Sequence, residues 1–155
     1  MPRQKVIEFL DSEGVKYVSI KHSQAYTAQE VAASAHIPEK ELAKTIMVKL
    51  DGKMAMAVLP ASFHVDLEQL KDVAGVGKVE LASEAEFRDL FLGSQIGAMP
   101  PFGNLYGMDV YVAVPLTEDK EIVFNAGSHT ELIRLAYADF ERLVKPTIGE
   151  FAIEG

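Results

Sequence analysis

The chain has 155 residues, 48% of them hydrophobic and 25% charged, the size and balance of one soluble globular domain with its own core. Lys plus Arg number 15 and Asp plus Glu 23, a formal net charge of −8, which excludes a protein that coats a duplex by broad phosphate neutralisation and leaves room only for a small local basic spot. There are no cysteines, hence no disulfide, thiolate nucleophile or thiolate metal site. No run of about 18 apolar residues offers a membrane span, and Glu8 and Asp11 fall where a signal peptide needs its apolar stretch, so a cytoplasmic location is expected.

Val6, Phe9 and Leu10 form an apolar stripe that predicts a helix from about Arg3 to Glu13, with Gly14 as its stop. Val15–Lys21 is rich in β-branched and aromatic residues and predicts a strand. Thr27-Ala-Gln-Glu30 has the spacing of a capping box and should open a short helix carrying Val31, Ala32 and Ala35. Pro38 should start a further helical turn, running through Glu39–Ala43. Thr45–Leu50 and Lys53–Leu59 flank Asp51-Gly52, a dipeptide that tolerates positive φ and so predicts a tight hairpin. Asp66–Ala74 reads as a helix capped by Asp66, Lys78–Leu81 as a short strand, and Ser83-Glu-Ala-Glu86 as a second capping box opening a helix to about Phe91.

The texture changes at Gly93–Gly107, which holds four Gly and two Pro in fifteen residues. Neither helix nor strand suits it, and its apolar residues argue for a long ordered wall. Strands are expected at Asp109–Val114, Glu121–Asn125 and Thr130–Ala136, with a polar turn at Thr117–Lys120, and a last helix at Ala138–Lys145 before Pro146. The interspersed order and the hairpins predict an α/β (α+β) single domain over residues 1–155, built on a mixed, mostly antiparallel sheet rather than a doubly wound parallel one. No dinucleotide fingerprint and no phosphate-cradling Gly-Lys-Ser/Thr loop is present.

Three features carry candidate chemistry. Lys44 stands between a helical turn and an apolar strand, where it is either a fixed cation for a phosphate or carboxylate or a solvated lysine at a helix end. His129 follows Asn125-Ala-Gly-Ser128 at a strand end, where the turn at Gly127 can present backbone N–H groups and the imidazole can orient substrate or move a proton; the alternative is a histidine hydrogen-bonded within its turn. Gly97-Ala-Met-Pro-Pro-Phe-Gly103 can form a stiff floor approached closely by a ligand, or a loop that covers the core. His22, His36 and His64 show no metal-ligand spacing with Asp or Glu, no Gly-x-Ser-x-Gly elbow appears, and Met47, Met54 and Met56 sit in strands as core filler.

Taken in register, Leu42-Ala-Lys44-Thr45-Ile-Met-Val48, Ile96-Gly97-Ala-Met-Pro-Pro-Phe-Gly103 and Phe124-Asn-Ala-Gly127-Ser-His129 resemble the YbaK/ProX family of aminoacyl-tRNA deacylases, related to the editing domain of bacterial prolyl-tRNA synthetases. The likeness runs over nearly the whole chain. It implies a partly closed mixed sheet surrounded by helices, and hydrolysis of the ester joining a wrong amino acid to the 3′ end of tRNA. It implies catalytic roles for Lys44, Gly97, Gly127 and His129: the lysine fixes the tRNA end, the glycine backbones hold carbonyl and water, and the histidine positions substrate or water. Substrate-binding positions are implied at His22, Thr27, Thr45, Met99, Pro101, Phe102, Gly103 and Ser128. Neither cofactor nor metal is expected, and the implied partners are the aminoacyl-tRNA acceptor end and a tRNA synthetase. The chain departs from the family pattern at Pro100, where many members carry Ser, and in its Gly-Ser-His form of the third motif. A non-catalytic module that holds a small ligand or the tRNA end is the alternative reading.

Overall fold

The protein is described by a computed structural model in which residues 2–22, 28–88, 99–128 and 130–154 are placed. The expected elements are largely present. Helix α1 (Pro2–Ser12) buries Val6 and Leu10, which are four residues apart and therefore on one face. Strand β1 (Tyr17–Lys21) follows, then α2 (Ala28–Ala35), so the helix predicted after Thr27 exists while Thr27 itself lies outside the described residues. Pro38 opens a hydrogen-bonded turn rather than a helix, with Glu41 N donating to Pro38 O at 3.0 Å. Strand β2 (Leu42–Leu50) starts three residues before the predicted Thr45. Lys44 is thus inside a strand and not at a helix end.

The hairpin joining β2 to β3 (Lys53–Pro60) forms as the Asp-Gly pair dictates, with Leu50 opposite Lys53 and φ of 51° at Asp51 and 83° at Gly52. Two positive φ values match the right-handed twist of the flanking strands. The Asp51 carboxylate also accepts from Gly77 N at 3.1 Å and from Lys78 N at 2.9 Å. That holds the lead into β5 (Val79–Leu81) against the hairpin. Between them come β4 (Phe63–Val65) and α3 (Leu67–Ala74), whose Asp66 cap accepts from Gln69 N at 3.1 Å. The short helix α4 (Glu84–Phe87) has Glu86 reaching back to Ser83 N at 2.9 Å, as its capping box predicts; most of its expected continuation to Phe91 lies outside the described residues.

The Gly/Pro-rich segment, described from Met99 onward, holds a 3-10 turn at Gly103–Tyr106 where no helix is expected, and leads into β6 (Asp109–Ala113) and the single helical turn α5 (Val114–Thr117). Then come β7 (Glu121–Asn125), β8 (Glu131–Ala136), α6 (Tyr137–Val144), β9 (Thr147–Gly149) and β10 (Ala152–Glu154). The main sheet runs β1-β8-β7-β2-β3-β6-β9, with β5 also paired to β2, while β4 and β10 form a separate ribbon. Pairs β2–β7, β3–β6 and β6–β9 are parallel and the others antiparallel. The sheet is therefore mixed and mostly antiparallel, and its end strands β1 and β9 are not paired to each other, so it is open. No helix among the described residues is long and apolar enough to cross a membrane.

The two faces of the sheet are covered differently. On one face, α1 and α6 enclose a continuous core in which Phe102 meets Phe9, Phe124 and Phe140 edge to face at 6.2, 5.3 and 5.5 Å. On the other face there are two separate apolar patches. One, around Leu42, Val123 and Leu132, packs against Ala32 of α2; the other, around Val48, Ala57 and Tyr111, packs against Leu70 of α3.

Helix α1 is tied to the sheet by charge as well as packing. The Glu131 carboxylate, 7% exposed, accepts from Arg3 Nε at 2.6 Å, Arg3 Nη2 at 3.1 Å and Ser19 Oγ at 2.5 Å. The hydrogen bond to Arg3 holds this carboxyl below the usual carboxylate range, against the opposing effect of burial. A carboxyl whose native pKa is lowered stabilises the fold above its unfolded pKa, about 4.3 for Glu, and loses that contribution as the pH falls through the native value. The stability advantage of the wild type over Glu131→Gln should therefore be largest near neutrality and shrink below about pH 4, as urea unfolding at a series of pH values would show.

Candidate active site

The site is built where β2 runs out of neighbours on one edge. Among the described residues, β7 pairs with β2 only at Leu42 and Ala43, and β5 only at Val48–Leu50. Lys44 to Met47 lie between these two partners, in a seam at the carboxyl end of β7. Ligands of sheet proteins commonly occupy such places, where neighbouring strands diverge and backbone groups become available.

Side-chain alternation then sorts the residues. Ala43 and Met47 belong to the aromatic core, so Thr45 between them faces the same way. Ile46 and Val48 pack on the opposite side, and Lys44 shares their face, in the gap between the α2 patch and the α3 patch. Lys44 is half-buried and donates from Nζ to the carbonyl oxygen of Ala61 at 3.2 Å. Burial pushes its pKa below the ordinary lysine value, while Glu39 pulls the other way. An open cleft of about 220 Å³ adjoins it, lined by Lys44, Ile46, His64, Val65 and Leu81.

The residues on β7 and β8 approach the same seam. The register that pairs Leu42 with Val123 places Lys44 beside Asn125 when extended by two residues. Asn125 is 8% exposed, and its Oδ1 is buried without a hydrogen-bond partner. An orphaned buried acceptor at the end of the strand next to Lys44 calls for a functional explanation, because such groups are rare and costly. Next, Gly127 takes φ of +97°, a conformation that favours glycine, and is buried. Ser128 Oγ lies 3.2 Å from Thr130 Oγ1, which closes the turn. His22 extends the β1–β8 pairing, its N–H donating to Thr130 O at 2.9 Å. It stands on the face of Ile20 and Leu132, three strands from Lys44, or about 14 Å at the usual strand spacing.

Lys44, Gly127, Ser128 and His22 thus collect at one end of the sheet. The middle motif behaves differently. Met99, Pro101 and Phe102 are buried, and Phe102 is 0% exposed at the centre of the ring cluster, on the face away from the Lys44 ammonium. Gly103 is packed so tightly that a Cβ there would lie 2.8 Å from Val110 Cγ2 and 3.2 Å from Met108 O. Phe102 and Gly103 thus pack in the core, which fits the covering-loop alternative for this motif. Thr45 Oγ1 is buried and unpartnered on that core side. Gly97, His129 and Thr27 lie outside the described residues. Sequence reasoning missed Asn125, His64 and Leu81; only the position of Asn125, two residues before Gly127, offered a signal.

Of the other clefts, one of about 440 Å³ carries Arg142 and Lys145 beside Glu13, Phe9 and Leu143, whereas two have the wrong chemistry for an anionic ligand. A cleft of about 410 Å³ presents Glu118, Asp119 and Glu154 with Lys40 alone in opposition. There, burial and then Glu41 push the Asp119 carboxyl up to about 6. The Lys44 seam differs in that its cation is half-buried, meets apolar walls and lies next to the strand that ends in the buried, unpartnered Asn125 oxygen.

The model of the aminoacyl-tRNA editing domain family matches residues 22–143. The chain is 30% identical over 154 residues to the multifunctional Ser/Thr-tRNA deacylase ProXp-y of Escherichia coli K12, covering 96% of this chain and 91% of that protein. It is 28% identical over 162 residues to the prolyl-tRNA editing protein ProX of Acetoanaerobium sticklandii, covering 98% and 96%. The crystal structure of the hypothetical protein APE2540 superposes with a TM-score of 0.85 at 22% identity, over 96% of this chain and 99% of that one, and so shares the fold.

Because Phe102 fills the ring cluster, truncating it leaves a cavity that its neighbours fill only partly. Phe102→Ala should lose about 3–5 kcal/mol of stability in chemical denaturation.

Proposed function

The chain belongs to the aminoacyl-tRNA editing domain family, and from that premise we propose that it is a trans-editing deacylase that hydrolyses the ester of mischarged aminoacyl-tRNA. The observation that carries the reading is the half-buried Lys44 ammonium, set in the seam where β7 parts from β2, with the buried, unpartnered Asn125 oxygen at the end of β7. Relatives covering nearly the whole chain are named for deacylation of Ser- and Thr-tRNA and for prolyl-tRNA editing, which supports the same chemistry here.

The reaction adds water to the ester carbonyl, passes through a tetrahedral oxyanion, and breaks the bond to the ribose oxygen, which leaves with a proton as the amino acid is freed. Lys44 holds the anionic 3′ end of the tRNA. Its partial burial strengthens that attraction, since a charge pair in a low-dielectric setting is worth more than one in water. Backbone N–H groups at the Gly97 and Gly127 motifs have the role of stabilising the oxyanion. His129 orients water or substrate, Asn125 offers its oxygen to the aminoacyl group's ammonium, and His22, Thr27 and Ser128 are the further substrate-binding residues, while Thr45, on the core face, acts only from behind the strand. No metal takes part in this scheme. A net charge of −8 keeps the contact with tRNA local and sensitive to salt. A synthetase that recaptures the freed tRNA is the natural macromolecular partner of such an activity.

A pocket of this kind separates substrates one methylene apart by only about 1–3 kcal/mol, so selectivity leans on excluding larger side chains. A panel of mischarged tRNAs tests the proposal. Lys44→Met should lower the deacylation rate by about 10- to 100-fold, the worth of a hydrogen bond to a charged group. It should not lower Tm, because a cation whose native pKa is depressed weakens the fold while it is charged. Wild-type activity should persist in excess EDTA. Charged tRNA bound tightly with an unchanged ester lifetime would overturn the enzymatic reading.

A further inference from the structure

We infer that the cleft beside Lys44 seats the adenine of the tRNA's terminal nucleotide, with His64 and Leu81 as its walls. The inference rests on the deacylase reading and adds to it the side of the ammonium on which the nucleoside lies.

Two directions lead away from Lys44 along its face of the sheet. Toward β7 are Asn125 and the Gly127 turn, polar groups suited to an ester and an amino group. Toward β5 is the open cleft of about 220 Å³. Its size is below the roughly 300–1,000 Å³ of ordinary small-molecule sites and suits a single flat ring system. Among the described residues, its lining is apolar except for one ammonium and one imidazole. That is the composition expected for a heteroaromatic base attached to a phosphate: aliphatic surface and a histidine ring for the base, a cation for the anion next to it.

Both walls are held open by the fold. Leu81 is paired opposite Val48 at the end of β5, yet 60% of it is exposed. His64 is exposed on β4, opposite Ile153 of β10, itself 51% exposed. A lone exposed leucine would need no explanation. An exposed leucine and an imidazole lining one cleft, with a half-buried cation at its rim, form a surface ready for stacking. In a chain with eight excess negative charges, the anionic end of an RNA is drawn to such a spot and away from the carboxylate-lined clefts.

The experiment uses the whole protein in two arms. In the first, labelled protein is titrated with adenosine 5′-monophosphate and, separately, with ribose 5-phosphate, which lacks the base. Saturable shifts of the His64 imidazole and Leu81 methyl resonances are expected with the nucleotide and not with the sugar phosphate. In the second, His64→Ala and Leu81→Ala are assayed on a mischarged tRNA that the wild type hydrolyses. Each should raise KM about tenfold, the scale of one lost base stack, with kcat retained. Both sites are exposed, and unchanged Tm values would show that the folds are intact. Wild-type KM in both variants, together with equal shifts from the two ligands, would overturn the inference while leaving the deacylase reading in place. A wild type inert on every mischarged tRNA, yet shifted at His64 and Leu81 by the nucleotide alone, would uphold the cleft assignment and defeat the deacylase reading.

Discussion

One edge of β2 is shared between two strands that never meet. β7 takes its first two residues and β5 its last three, one running parallel to β2 and the other antiparallel. Everything notable about the site follows from this division. A continuous neighbour would have sealed the edge and paired the middle of β2 into an ordinary ladder. Because β7 turns away after Asn125, the chain there presents a buried side-chain oxygen and a left-handed glycine at the very point where a lysine stands on the adjacent strand. The separation of the α2 patch from the α3 patch on that face is the same division seen from the side.

Lys44 shows what it costs to hold a charge in such a seam. Removing an ammonium from water is unfavourable, and the lowered pKa reports it. The Ala61 carbonyl compensates in part. A domain selected for stability alone would place an aliphatic residue at this position, as it does at Ile46 and Val48 on the same face. The aromatic core on the opposite face, with α1 clipped on through Arg3 and Glu131, supplies the rigidity against which the half-buried cation is held.

Much of this was legible in the sequence where local chemistry decides. The Asp51-Gly52 turn, the Asp66 cap and the Ser83–Glu86 box all form, because each is settled within a few residues. The three-residue strands β4, β9 and β10 were not legible. They exist only because distant partners supply their hydrogen bonds, and three residues carry no periodicity. Lys44 and Gly127 stood out through motif likeness. Phe102 admits two readings in the sequence, because an aromatic residue in a Gly/Pro-rich loop gives the same signal whether it faces a ligand or plugs a core, and the fold puts its ring in the core. Asn125 drew little notice as a strand residue; only the divergence of β7 from β2 makes its oxygen conspicuous. His64 and Leu81 are far from Lys44 in the chain, and nothing short of the tertiary arrangement joins them.

The carboxylate of Asp51 links these scales. It sits at a bend whose backbone demands a residue tolerant of positive φ, and it also gathers the amides of Gly77 and Lys78. The alignment of β5 is thereby inherited from a hairpin tip at the far end of β2 from the seam. Drift in the sequence at that tip is consequently not neutral for substrate handling. A glycine there would keep the bend and still release the lead into β5, so that a change at a solvent-exposed hairpin tip would be felt along the strand that flanks the seam.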